Sequence, residues 1–421
     1  MATLIGGIGV SHTPTIGFAR DRGLREEAAW RPIFQDFDVV RDWLAAARPD
    51  AMVVIYNDHV TSFFFDHYSA FTLGVGDRYE VADEGAGPRS LPAVPGDARL
   101  ARHIARSLTS QEFDLAMFQH KALDHGCFSP LSMLTLDKGK WSTPIVPLQV
   151  GVLQFPLPSA ARCFKLGRAL RTAIESYPEN LRVAIAATGG LSHQIHGERT
   201  GFNNTQWDNE FLDQLEQCPE ALTKLTHAEF ARRGGLESVE VIMWLIMRGA
   251  LTREVKRVHR GYYLPSMTAI ATLILEDVQP GLSEAEVSAA RAAAVKETDG
   301  LDAIEGTYPF TLESSARAYR LNQFLHGLVA PEARQAFVAD PEAAFQSARL
   351  SEQERDLVRR RGWLEMIRYG VTFFVLEKLG AVLGISNPEI YAAMRGMTLE
   401  EFLRTRRTNI VYSVAPTSEG S

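Results

Sequence analysis

With 421 residues, 46% of them apolar, and a formal net charge of -7, the chain is long enough for two or three domains that each bury a core. No basic stripe marks a nucleic-acid binder, and the longest apolar runs, Ala51 to Tyr56 and Val241 to Met247, fall far short of the roughly 20 residues that a bilayer span requires. Cys127, Cys163 and Cys218 are too few and too scattered for a disulfide framework or a metal knuckle, and no charged region followed by an apolar signal core opens the chain, so a reducing cytoplasm is expected.

In chain order, the first two thirds alternate short β-like runs with helix-period segments, the pattern of an α/β domain with a central parallel or mixed sheet flanked by helices. Strands are predicted over 3–10, 51–57, 145–152, 182–187 and 262–275, and helices over 25–47, 97–108, 160–176, 209–216 and 236–250. A turn-rich joint at 277–281 precedes Ser283 and Glu286, which have capping-box spacing and open an Ala-rich, polar helix expected to be a connector. Past residue 301 the signals are helical almost throughout. Two more capping boxes stand at Ser351/Glu354 and Thr398/Glu401, and Asn387 before Pro388 predicts an N-cap ahead of a proline at the first helical position. The run 371–376 is apolar on almost all sides and predicts a central helix or a surface buried against something else. The expected division is an α/β domain over 1–278, a connector over 279–300 and a small all-α domain over 301–421, whose small, polar end, 415–421, is expected to fray.

Three apolar runs end alike. The first stops on Ser11-His12-Thr13-Pro14, the second on Asn57-Asp58-His59, and 183–187 runs through Thr188-Gly189-Gly190-Leu191-Ser192 to His193, the glycines allowing a sharp turn. In open α/β sheets ligands collect at the carboxyl ends of the strands, so if these strands are parallel neighbours the three imidazoles converge on one crevice. One such His is more often a hydrogen-bonded loop residue; three in the same position point to a site. A fourth, His125, follows Asp124 in a turn-like tetrapeptide where an acid could orient the ring, and the same acid-before-His order recurs in Asp58-His59. His67, His103, His120, His196, His227, His259 and His326 lack this placement and are expected to be surface or structural.

Two neutral imidazoles and one carboxylate on a common face make an oxygen-activating ferrous site, so an acid is sought. Glu237 and Glu240 stand three apart, directly ahead of the apolar run 241–247. Glu237 suits a first helical turn, where acids complement the macrodipole. Glu240 opens the segment that should be buried, and a buried carboxylate needs a partner or a metal. Zinc accepts the same ligand types, which leaves a zinc hydrolase as the nearest rival, and a binding protein that retains the pocket as a more distant one. No dinucleotide fingerprint is present, and Thr188-Gly189-Gly190 lacks the Lys and Ser/Thr of a phosphate loop.

These stretches, together with Ala82-Asp83-Glu84-Gly85, Asp124-His125-Gly126 and the Met-Trp-Leu-Ile-Met-Arg-Gly continuation after Glu240, resemble the class III extradiol ring-cleaving dioxygenases, the group that includes the enzymes opening protocatechuate and gallate. The resemblance implies His12, His59 and Glu240 as Fe(II) ligands, His193 as the acid/base residue and His125 as a second catalytic partner of the substrate. Gly306-Thr307-Tyr308 and Tyr319-Arg320-Leu321-Asn322-Gln323-Phe324 resemble the small helical α subunit of the two-chain protocatechuate enzyme, here fused behind the catalytic β-like part. That fused order, with Ser266-Met267-Thr268 where the two-chain enzyme is expected to carry Ala-Ser-Asn, implies gallate as substrate, O2 as co-substrate and 4-oxalomesaconate as product, with protocatechuate or 3-O-methylgallate as alternatives. Thr13, Thr268, Tyr391 and Tyr412 are candidate anchors for the substrate carboxylate, since hydroxyl donors hold it without a full counter-charge. The resemblance further implies a homodimer whose helical part helps cover an active site, and no external reductant.

Overall fold

The computed structural model describes residues 1–407 and 409–414, so the tail 415–421 lies outside the described residues. The chain separates into two compact units, Met1–Glu297 and Thr298–Ser421.

In the first unit the described strands are β1 (Thr3–Val10), β2 (Ala51–Tyr56), β3 (Phe71–Gly74), β4 (Arg78–Tyr79), β5 (Val94–Pro95), β6 (Ala116–Phe118), β7 (Leu136–Asp137), β8 (Lys140–Trp141), β9 (Ile145–Val150), β10 (Arg182–Ala187), β11 (Val255–Tyr263) and β12 (Ile270–Asp277). Eight of them form one mixed sheet in the order β11-β12-β1-β10-β2-β9-β3-β6, and the other four make two small ladders. The helices are α1 (Pro14–Asp21), α2 (Arg31–Ala47), α3 (Ala98–Ser110), α4 (His125–Leu134), α5 (Ala160–Glu175), α6 (Thr205–Gln217), α7 (Pro219–Leu222), α8 (His227–Gly234), α9 (Ile242–Ala250) and α10 (Glu284–Val295). Every residue of β2 and β9 is buried, the expected state of central strands covered on both faces. One face packs against α2 and α4, the other against α5 and α9.

The feature that matters for function lies in the register. β1 and β10 are parallel with Gly9 opposite Ala187, and β10 and β2 are parallel with Ala187 opposite Ile55. The three strands that carry histidines at their ends are therefore adjacent, co-directional and level. β1 accommodates this crowding with glycine: a Cβ at Gly9 would stand 2.4 Å from the Trp244 ring of α9.

Several boundaries differ from expectation. The strand predicted over 262–275 is two antiparallel strands, because Pro265 lacks the N–H a ladder needs and the segment 264–269 turns the chain back; β12 then pairs antiparallel with β1 and makes the sheet mixed. The helix predicted from residue 25 begins at Arg31, with Pro32 in its first turn and a separate 3-10 turn at Leu24–Glu26. α4 escaped a periodicity reading because all but its first residue are buried, leaving no polar face. α10 is opened by the Ser283/Glu286 capping box, yet it packs on α3 and α5 inside the first unit, where Arg291 Nε donates to Ser176 O at 2.8 Å. The boundary between the two compact units falls after Glu297.

The second unit contains, among the described residues, the helices α11 (Leu312–Arg317), α12 (Tyr319–Gly327), α13 (Pro331–Ala339), α14 (Pro341–Ser347), α15 (Glu352–Arg359), α16 (Trp363–Tyr369), α17 (Phe373–Val382), α18 (Asn387–Met394) and α19 (Leu399–Arg404). Their core joins Leu321, Leu325, Phe345, Trp363, Met366 and Leu376. Both predicted capping boxes form. At α18 the cap moves by one residue: Ser386, not Asn387, accepts the Glu389 N–H, and Ser386 N and Oγ in turn donate to the Glu389 carboxylate. The apolar run 371–376 divides, with Val371 and Leu376 in the core and Phe374 73% exposed. Among the described residues no helix is long and apolar enough to cross a membrane.

Candidate active site

The three level strand ends deliver their side chains to one place. His12, His59 and Glu240 each offer a ligand atom within 4.8 Å of the other two, a spacing that could hold a metal ion. His12 Nε2 lies 3.5 Å from Glu240 Oε2, and the His12 and His59 rings meet edge to face with centroids 5.0 Å apart. His125 stacks on His59 at 4.0 Å between centroids.

Each imidazole is oriented through its far nitrogen. His59 Nδ1 and His59 N both donate to Asp124 Oδ2 at 2.8 Å, which leaves the Nε2 lone pair facing the cluster. His12 Nδ1 pairs with Thr188 Oγ1 at 2.9 Å, again leaving Nε2 inward. His193 Nδ1 lies 2.8 Å from Leu191 O; a carbonyl only accepts, so Nδ1 carries a proton and Nε2 points inward, 3.9 Å from Glu240 Oε1. His125 Nδ1 and N donate to Glu84 Oε1 at 2.7 and 3.0 Å.

Glu240 comes from a 3-10 turn, Glu237–Val241, that leads into the buried α9. Burial alone would raise its carboxyl; attraction to the imidazoles of His12, His193 and His59 outweighs it and brings the carboxyl down to about 2, so Glu240 is an anion. Burial likewise holds His12 below the ordinary imidazole range. The backbone N–H of Gly190 donates to Glu240 Oε1. Glycine is required there: a Cβ would come within 2.7 Å of Thr268 Cγ2 and 3.1 Å of Glu240 Oε1, while the preceding Gly189 has φ 127. Glu237 turns elsewhere, accepting from Ile195 N at 3.1 Å and pairing with His196 Nδ1.

Residues 188–193 are clamped from behind. Asp208, fully buried in the first turn of α6, accepts from Ser192 N at 2.7 Å, Ser192 Oγ at 2.6 Å and Tyr262 OH at 2.9 Å. A hollow of about 570 Å³ opens beside His59 and His125, lined also by Pro14, Thr61, Asp83 and Glu84. Its size is within the usual range for small-molecule sites. Thr268 sits beside Gly190, and Thr13 precedes α1 without a side-chain cap bond, its Oγ1 2.8 Å from Thr15 Oγ1. Tyr391 and Tyr412 belong to the second unit, where their hydroxyls are 3.2 Å apart and Tyr391 stacks on Phe373.

Two readings of the acids are corrected. Asp124 serves chiefly His59, from a distant stretch, rather than its neighbour His125, whose partner is Glu84. Asp58 orients no ring; it accepts the N–H groups of Thr61, Ser62 and Phe63 and so shapes the loop after β2. The sequence predicts no role for Thr188, Glu84 or Asp208, although Thr188 and Glu84 lie within the stretches that carry the resemblance. Their one signal is a polar residue beside a strand end or helix start, which sequence alone does not separate from ordinary caps.

Residues 6–273 match the model of the catalytic LigB subunit of aromatic ring-opening dioxygenase. The chain belongs to the LigB family of aromatic ring-opening dioxygenases. In this dioxygenase, residues 321–407 match a second model, the LigA subunit of the aromatic-ring-opening dioxygenase LigAB. A gallate dioxygenase of Pseudomonas putida is 57% identical over 335 residues, spanning 80% of this chain and 98% of that protein. More remote is a 2,3-dihydroxyphenylpropionate/2,3-dihydroxicinnamic acid 1,2-dioxygenase of Photorhabdus laumondii, 26% identical over 64% of this chain and 96% of that one. The Klebsiella pneumoniae enzyme of the same name is 32% identical over 44% of this chain and 55% of its own length.

Proposed function

We propose that the dioxygenase opens the ring of gallate with O2 to give 4-oxalomesaconate, at a ferrous centre held by His12, His59 and Glu240. The observation that carries the substrate is the 57% identity, over 98% of its length, to a protein named gallate dioxygenase. The donor set supports the metal: two imidazole Nε2 atoms and one carboxylate within 4.8 Å suit Fe(II) with positions left open. Ferrous iron held there supplies Lewis acidity and a path for electrons between an electron-rich ring and O2.

The chain's own groups do the rest. His193, its Nδ1 fixed on Leu191 O and its Nε2 turned inward, takes a phenolic proton at Nε2 and later returns it. His125, held by Glu84, presents Nε2 to the substrate from the wall of the hollow. Thr13 and Thr268, together with Tyr391 and Tyr412 of the second unit, are the proposed carboxylate anchors. The enzyme works as a cytoplasmic homodimer, in keeping with three cysteines that form no disulfide; light scattering in solution tests the dimer.

An oxygen electrode tests the activity. Metal-free enzyme reconstituted anaerobically with Fe(II) is expected to consume O2 stoichiometrically with gallate, and more slowly with protocatechuate or 3-O-methylgallate. Faster turnover of either alternative, or activity with zinc and no oxygen, overturns the reading. The choice of acid has its own test. Glu240→Gln is expected to weaken metal retention by more than about tenfold, a lower bound set by what outer partners of metal ligands contribute, while Glu237→Gln retains metal as wild type does. Equal metal contents after dialysis would show that the ligand is misassigned.

A further inference from the structure

We propose that Asn57 is a catalytic residue whose amide N–H donates to an anionic oxygen bound in the pocket beside His59. The proposal rests on the metal-site reading above.

Asn57 directly follows β2 and is completely buried. Its Nδ2 lies 3.3 Å from His59 Nε2. In the neutral ring that a metal ligand must be, His59 Nδ1 donates to Asp124 and Nε2 holds the lone pair, so the amide nitrogen rather than the carbonyl faces it; the reverse would set two lone pairs against each other. Asn57 Oδ1 has no hydrogen-bond partner among the described residues. The backbone of Asn57 runs close against Gly126, where a Cβ would stand 2.3 Å from Asn57 O. Neighbouring Asp58 does not compete for it, since its carboxylate is taken by the N–H groups of Thr61, Ser62 and Phe63.

An imidazole nitrogen has one lone pair. Once a metal takes it, the Asn57 N–H loses its acceptor on the protein, and a buried amide with neither end satisfied is costly. The acceptors that enter with the metal are oxygens, from gallate or from dioxygen. A neutral amide suits either, because it donates to growing negative charge without exchanging a proton with His193.

The test uses full-length enzyme loaded anaerobically with Fe(II), in wild-type, Asn57→Leu and Asn57→Ala forms. Leucine keeps the volume and removes the N–H; alanine decides if the leucine variant does not fold. Four quantities are read: iron per chain, thermal midpoint, gallate affinity by anaerobic titration, and affinity for nitric oxide, a dioxygen surrogate followed by the EPR signal of its ferrous complex. The expected result is iron at the wild-type level with gallate or nitric oxide affinity reduced by about tenfold or more, the size of a lost hydrogen bond to a charged group. A fall in gallate affinity assigns the substrate oxygen, and a fall in nitric oxide affinity assigns the dioxygen site. Unchanged affinities at full iron content overturn the proposal, and so does loss of iron, which would make Asn57 a support for His59 instead. If wild-type protein binds neither ligand, the gallate reading itself fails.

Discussion

His12→Ala and His59→Ala are each expected to lose bound metal and ring cleavage together, yet to differ in stability. The shared loss follows from geometry. Each change removes one of three ligand atoms that lie within 4.8 Å of one another, and the two that remain come from separate elements. The drop in metal affinity should exceed the ten- to a hundredfold, roughly, that follows from losing an outer partner of a metal ligand. The difference follows from what each ring leaves behind. His12 faces the buried Glu240, and its removal takes away the principal charge partner of that carboxylate, at a cost of about 1–3 kcal/mol for a buried group left short of partners. His59 faces Asp124, which keeps the N–H groups of His59 at 2.8 Å and Gly126 at 3.0 Å even when the ring is gone. Metal analysis and thermal melting of metal-free protein check both halves. Stoichiometric metal in both variants would remove these residues from the ligand set, and equal melting losses would show that Glu240 does not depend on His12.

The second large effect is expected at His193→Ala. Metal content and anaerobic gallate affinity should stay at the wild-type level, while kcat falls by about a hundred- to ten-thousandfold, the usual contribution of a positioned acid/base. The selectivity of that loss has a structural reason. Residues 188–193 are secured independently of the ring, through Asp208 on Ser192 and through the His193 N–H on Gly234 O at 2.8 Å. Removing the imidazole therefore takes away a proton acceptor without releasing Gly190, whose N–H supports Glu240. Single-turnover kinetics separate the step from product release. An unchanged kcat would assign proton transfer to another group, with His125 next in line because its Nε2 also faces the hollow.

What was legible from the chain alone was local. Runs of apolar residues broken by a polar turn announce strand ends, and His12, His59 and His193 each stand just past one; burial of the segment after Glu240 marks that acid as needing a partner. The helical character of the second unit, with its Ser351/Glu354 and Thr398/Glu401 caps, is equally local, because a cap involves residues three apart. Tertiary structure decided everything that depends on which strands are neighbours. Only the pairing of β1 with β10 and β10 with β2 makes three strand ends level and brings Glu240, some 50 residues beyond Gly190, against His12. Only the fold could show that Asp124 orients His59 across 65 positions while Asp58, its immediate neighbour, holds a loop. A carboxylate next to a histidine in sequence points wherever the backbone directs it, and the backbone direction is set by packing that no single segment contains.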